Sequence, residues 1–178
     1  MIDYMTTNKP AIVIGENVPH IAKIHGGEVM QTILSDIGHA GYDCVVWRLF
    51  APQYGVPQNR ERLFFVCIPQ NAASSHRPAE PTPQHKQAEF RSIDWAIKDL
   101  IAIDDEKVPN QSQFFVATKA KRGNGQGDET SRSGYPAYTV RANAKSRVQF
   151  HYSLPRRLTV RECARLQTFP DDFVFPHS

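Results

Sequence analysis

Tyr54-Gly-Val-Pro-Gln-Asn-Arg-Glu-Arg-Leu-Phe-Phe-Val66 decides how this chain is read. Gly55, Pro57 and Asn59 mark a tight turn. Leu63 to Ile68 then form an unbroken apolar run, which predicts a strand buried on both faces. Between turn and run stand Gln58, Arg60 and Arg62, at alternate positions. If the extended conformation begins at Gln58, all three project to one side. That makes a fixed array of donors at the mouth of a sheet, and guanidinium forks suit base oxygens and phosphates.

Working back from the turn, Asp43 to Phe50 reads as a strand rich in β-branched and aromatic residues, closed by Ala51-Pro52. Before it, Val29, Ile33 and Ile37 fall at i, i+4 and i+8, with Met30 and Leu34 beside them. That stripe predicts an amphipathic helix within His20 to Ala40, with Gly41 just past its end. Pro10 to Ile14 is a short apolar strand, and Gly15 is read as the residue that lets the chain turn beyond it. Glu16 and Asn17 then sit past a strand's carboxyl end, where open α/β sheets gather their ligand-binding residues. Met1 to Lys9 is polar and expected to be poorly ordered. A helical crossover makes the first two strands parallel in one sheet, and the short turn makes the third antiparallel to the second.

Composition shifts at Pro69. Four prolines between Pro69 and Pro83 predict a linker or surface loop. Ser92 to Ile101 reads as a short helix, and Phe114 to Val116 and Ala137 to Val140 as strands. Lys119 to Arg132 is a glycine-rich basic loop able to approach a phosphate backbone, without the GxxxxGK[ST] pattern of a triphosphate cradle. Thr159 and Glu162 stand in capping-box register, with Leu158 and Cys163 placed as a hydrophobic staple. A helix from about Val160 to Gln167 follows, ending before Pro170, and its expected role is structural.

The chain has 178 residues and a formal charge of +3. Asn110 to Arg165 carries 11 Lys or Arg against 3 Asp or Glu, a local excess of +8, so the remainder is acidic at −5. A basic segment on an acidic body predicts a polyanion contact confined to one region and weakened by salt. Cys44, Cys67 and Cys163 are odd in number, widely spaced and set among apolar residues, which argues against a disulfide framework or a zinc site. His20, His25 and His39 show no metal spacing, and no metal is expected. No run approaches the length of a membrane span, and the N-terminus lacks a secretory layout. A cytoplasmic protein with reduced thiols is expected.

Three segments in order, Gly15-Glu-Asn-Val-Pro19, the Gln58-x-Arg60-x-Arg62 stretch, and Arg157-Leu-Thr-Val-Arg-Glu-Cys-Ala-Arg-Leu-Gln-Thr-Phe-Pro170, resemble motifs of the cytosine-5 DNA methyltransferases. The resemblance implies an α/β fold, the C-terminal half of a Rossmann-like sheet with a small, mostly β or irregular DNA-recognition region. It divides the chain into a partial catalytic domain at 1–69, a recognition region at 70–155, and a joining helix at 156–178. It implies that Glu16 grips N3 and the exocyclic amine of a target cytosine and that Arg62 contacts its O2. Asn17 would hold its loop in shape, while Gln58 and Arg60 would shape the pocket or touch the backbone. Lys119, Lys121, Arg122, Arg141, Lys145 and Arg147 would contact duplex DNA. The implied cofactor is S-adenosylmethionine, with its site mostly outside this chain.

The family's nucleophile lies in a Pro-Cys-Gln loop, and none of the three cysteines here has that context. The family's cofactor loop is not recognisable either. The chain is therefore expected to be inactive alone and to pair with a complementary chain carrying both loops, or to self-associate through an unpaired strand edge. The alternative is a catalytically silent DNA-binding or partner-binding module from a truncated methyltransferase gene.

Overall fold

The computed structural model describes residues 1–72, 77–103, 129–141 and 149–175. The chain divides into two units, one formed by Met1–Phe50 with Glu61–Thr82, the other by Ala51–Arg60 with Pro83–Ser178. The Tyr54–Val66 stretch is thus shared between them, its turn in the second unit and its strand in the first.

The first unit contains α1 (Ile2–Asn8), β1 (Val13–Asn17), α2 (Glu28–His39), β2 (Tyr42–Phe50) and β3 (Glu61–Pro69). Its sheet has the order β1-β3-β2, and β3 is antiparallel to both neighbours. The first two strands therefore run in the same direction, as a helical crossover requires, with the reversed strand between them. Leu63, Phe65 and Cys67 alternate along β3 and build a core with Ile21, Ile37 and Tyr42. Val29, Met30, Ile33 and Leu34 pack against it from α2, so the predicted stripe is the buried face. Each fully buried Ile or Leu contributes roughly 1.5–3 kcal/mol. Helix α2 stops where Gly41 takes a φ of 86°, a left-handed conformation that costs glycine nothing.

Three local expectations are corrected in this unit. Met1–Lys9 is ordered as α1, because Met5 is fully buried in the core. The first strand spans Val13–Asn17 rather than Pro10–Ile14, and Gly15 is not a turn residue. Gly15 pairs with Phe65 inside the strand, where a Cβ would make ordinary contact with Phe65 Cβ at 3.7 Å and press only on the flexible Met1 side chain at 3.3 Å. The helix expected within His20 to Ala40 is α2, preceded by a 3-10 segment, Pro19–Gly27, kinked at Ile24 to Gly26.

The second unit contains α3 (Ile93–Ile97), β4 (Glu129–Thr130), β5 (Gln149–Phe150) and α4 (Val160–Leu166). Ile93, Ala96, Ile97 and Leu100 pack with Ala137, Leu158 and Leu166 in its core. The helix expected from Ser92 splits into α3 and a 3-10 turn at Lys98–Ala102. Ala137 forms a single bridge with Gln58 in place of the expected strand. The Phe114–Val116 expectation lies outside the described residues, as does most of the glycine-rich loop. No described helix is long and apolar enough to cross a membrane.

Candidate functional site

Two strand ends of the first unit bring the site together. Strand β1 carries Glu16 opposite Phe64 of β3, and Arg62 lies two residues earlier on β3. Side chains alternate with a period of two, so Glu16 and Arg62 share one face of the sheet. Arg62 Nε lies 2.6 Å from Glu16 Oε1, with the Arg62 side chain 18% exposed and that of Glu16 46% exposed. Arg62 also donates from a terminal nitrogen to the Glu61 carbonyl at 2.7 Å, which fixes the guanidinium plane. The result is a carboxylate and a guanidinium held as a charge-assisted pair at an open strand end, a combination able to bracket a planar polar ring.

Asn17 closes β1 by accepting the N–H of the next residue, Val18, on its side-chain oxygen at 2.8 Å, at the point where the chain leaves the sheet. Next to the site, Arg48 makes a two-pronged pair with Glu61 at 2.7 and 3.0 Å across β2 and β3. Sequence reasoning missed this use of Glu61, although an acid beside Arg60 and Arg62 was a signal that one charge there is spent on a neighbouring strand.

Gln58 is placed quite differently from the expectation. It is 1% exposed and belongs to the second unit. Its amide donates to the Leu166 carbonyl at 2.9 Å and accepts the Val140 N–H at 2.9 Å. Both halves of the amide are thus engaged with backbone, and Gln58 ties the end of α4 to the Ala137–Val140 segment. The shared projection with Arg62 fails because the strand begins at Glu61, not at Gln58. Arg60 is half-buried and its carbonyl accepts the Ala51 N–H at 2.8 Å, closing the turn. Of the basic residues expected on DNA, Arg141 is exposed. Lys119, Lys121, Arg122, Lys145 and Arg147 lie outside the described residues.

The third motif segment is consumed by structure. Thr159 Oγ1 accepts the Glu162 N–H at 3.1 Å and the Glu162 carboxylate accepts the Thr159 N–H at 2.8 Å, a complete capping box. Glu162 is fully buried and takes both prongs of Arg156 at 2.8 Å. Arg161 donates to the Pro170 and Phe173 carbonyls, and Arg165 pairs with Asp99 and Asp171. Burial, reinforced by the Glu162 charge, pushes the Cys163 thiol up to about 12. A thiol so reluctant to ionise is a poor nucleophile. Among the described residues no His, Cys, Asp and Glu cluster could hold a metal ion.

The family profile described as C-5 cytosine-specific DNA methylase matches residues 1–178. The chain is 30% identical to the Type II methyltransferase M.BbvI of Brevibacillus brevis, with 93% of this chain and 51% of the relative covered. It is 29% identical to the Type II methyltransferase M.BsuRI of Bacillus subtilis, with 94% of this chain and 41% of the relative covered. The chain thus spans about half the length of the curated relatives it matches. The crystal structure of the S. pombe Dnmt2 methyltransferase superposes with a TM-score of 0.57 at 16% identity, covering 97% of this chain and 57% of that one. That likeness assigns a methyltransferase α/β fold to the architecture described above.

Proposed function

This chain belongs to the C-5 cytosine-specific DNA methylase family, and on that premise we propose that it supplies part of the base pocket and the recognition region of a DNA cytosine-5 methyltransferase. The observation that carries the reading is the Glu16–Arg62 pair, 2.6 Å apart on one sheet face at an open strand end. A methyltransferase must act on a base taken out of the duplex and read along its polar edge. Glu16 would hold N3 and the exocyclic amine of the flipped cytosine, which favours a proton on the ring as a nucleophile adds at carbon 6. Arg62 would donate to O2 and keep the Glu16 carboxylate aimed at the ring. Asn17 would hold the strand end in shape, and duplex DNA would meet Arg141 and the basic residues between Lys119 and Arg147.

The attacking thiolate must come from a Pro-Cys-Gln loop that this sequence does not contain. S-adenosylmethionine, the methyl donor of this reading, also finds no fit here. The sequence has no G-x-G-x-x-G loop, and the strand end offers the Glu16–Arg62 pair, which this reading assigns to the base. The chain would work with a polypeptide segment carrying both loops. An exposed β1 supports this: β1 pairs only with β3 among the described residues, and Ile12, Ile14 and Val18 are 48%, 62% and 45% exposed. An unpaired apolar edge recruits another strand. The reading places the protein in the cytoplasm with its duplex substrate.

The test is reconstitution. The chain is mixed with a polypeptide carrying the nucleophile and cofactor loops, and methyl transfer from labelled S-adenosylmethionine to cytosine duplex is measured. Activity is expected in the mixture and not in either part. Glu16→Gln should lower it by roughly 10²- to 10⁴-fold and Arg62→Ala by roughly 10²- to 10³-fold. Full activity of Glu16→Gln would sink the pocket assignment. Duplex binding by the chain with no rescue of methyl transfer would favour the silent-module alternative.

A further inference from the structure

Cys44 and Cys67 are direct cross-strand partners on β2 and β3. Their sulfurs lie 3.1 Å apart, in an unbonded pair. Directly opposed residues in antiparallel strands bring their Cβ atoms to about 4.5–5.5 Å, and a disulfide needs about 3.5–4.5 Å, so a small side-chain adjustment closes the gap. The two thiols differ in access. Cys67 is fully buried in the core that α2 covers, whereas Cys44 is half-buried on strand β2, which among the described residues pairs with β3 alone.

We propose that Cys44 and Cys67 form a thiol–disulfide exchange site that takes a low-molecular-weight disulfide as its oxidant. The Cys44 thiolate attacks one sulfur of that disulfide, breaking its S–S bond and releasing one thiolate. Cys67 then loses its proton to that thiolate or to solvent and attacks the Cys44 sulfur, releasing the second small thiol. The protein loses two thiol hydrogens and gains one S–S bond, and one small disulfide is reduced to two thiols. The division of labour agrees with the environments. The Cys67 S–H directed at the Cys44 sulfur lowers the Cys44 thiol below its ordinary range, against an opposing effect of burial. The Cys44 interaction and burial together raise the Cys67 thiol. Cys44 is therefore the entry thiol and Cys67 the resolving one.

The bond would close a ring from 44 to 67. That ring contains Ala51–Arg60, the segment that leaves the first unit to take part in the second, and also Arg62. Oxidation would fix both ends of this excursion to one another and remove the freedom of β2 and β3 to slip or part. The ring also constrains the unfolded chain, so the oxidised protein should be the more stable form. None of this depends on methyl transfer, so the proposal stands or falls apart from the proposed function.

The experiment incubates the folded, reduced chain with glutathione disulfide, alkylates the remaining thiols, and maps the peptides by mass. The expected product is two hydrogens lighter, with Cys44 and Cys67 peptides joined and only Cys163 alkylated. Its urea midpoint should be higher and should return on treatment with dithiothreitol. Cys67→Ser should trap a glutathione adduct on Cys44, and Cys44→Ser should react roughly tenfold more slowly or less, because Cys67 is buried. If Cys67→Ser does not fold, the wild-type peptide map decides alone. Three alkylated thiols in the wild type, a persistent Cys44 adduct, or a Cys44-linked dimer would each overturn the proposal.

Discussion

Each unit holds a glutamate against an arginine, and the two pairs differ in every respect that matters for use. Glu162 in the second unit is fully buried, takes both prongs of Arg156, and accepts the Thr159 N–H of its own capping box. Glu16 in the first unit is nearly half exposed at the end of a strand. A buried carboxylate with both oxygens engaged cannot turn to a substrate without a heavy desolvation cost. An exposed strand-end carboxylate can exchange solvent for a ligand at little cost. The same residue types thus build a fold in one place and offer a site in the other. The difference lies in burial, which a motif does not record.

Truncating the two glutamates gives the largest contrast. Glu162→Ala leaves the Arg156 charge buried and opens the capping box, so it should cost about 3–5 kcal/mol of stability. Glu16→Ala removes the nearly half-exposed partner of a pair whose guanidinium keeps its bond to the Glu61 carbonyl, and should cost about 1 kcal/mol or less. Urea unfolding followed by circular dichroism would measure both. Comparable losses for the two variants would erase the distinction and recast Glu16 as structural.

Acid should separate the units next. His151 is buried beside Glu162, and its Nδ1 accepts the Ser153 and Leu154 N–H groups at 3.1 Å, which leaves no lone pair there for a proton. Nε2 stands 3.6 Å from Glu162 Oε1, close enough to feel the charge but too far for a hydrogen bond. Burial lowers the His151 pKa to about 4, the Glu162 charge opposes it, and Arg156 adds to it. The unfolded chain binds its proton first, at about 6.5. Stability from this group is therefore complete above pH 6.5, falls as the pH drops toward 4, and changes no further below that. The full loss has a ceiling on the order of 3 kcal/mol. Urea titrations between pH 7 and 4 should show this slope, and His151→Asn should flatten it. An unchanged slope in that variant would assign the acid sensitivity to another group.

Local patterns were legible in the sequence where the physics was local. The Val29, Ile33 and Ile37 stripe lies on α2, and Thr159 with Glu162 caps α4, because periodicity and capping need only a few neighbouring residues. The reversed third strand followed from the shortness of its turn. The partners of Gln58 were not legible, because Leu166 and Val140 lie 108 and 82 positions away and nothing near Gln58 announces them. Gly15 was taken for a turn because a glycine after an apolar run has two meanings. Its place within β1, paired with Phe65, becomes visible only once β3 lies alongside. The N-terminal helix was missed for the same reason, since the burial of Met5 depends on a core assembled from distant strands. Glu16 and Arg62 could be nominated from motifs, but their meeting depends on β1 pairing with β3.

The smallest effect concerns backbone strain at the end of α4. Thr168 holds a φ of 63°, the left-handed region that a β-branched side chain resists. It is kept there by a Schellman closure. Phe169 N–H bonds the Ala164 carbonyl at 3.0 Å, and Thr168 N–H bonds the Arg165 carbonyl at 3.0 Å. Glycine at this position would remove the clash between Cβ and backbone, worth about 1–2 kcal/mol, and would lose roughly 0.5–1 kcal/mol through the greater freedom of the unfolded chain. Thr168→Gly should therefore stabilise the protein by about 0.5–1 kcal/mol, read as a higher urea midpoint with an unchanged slope. The first unit supplies the control at Gly41, which already carries a glycine at φ 86° past the end of α2. Gly41→Thr should destabilise by a similar or larger amount, since it introduces the strain that Thr168→Gly relieves. A destabilised Thr168→Gly would mean that the threonine side chain makes contacts worth more than the strain it imposes.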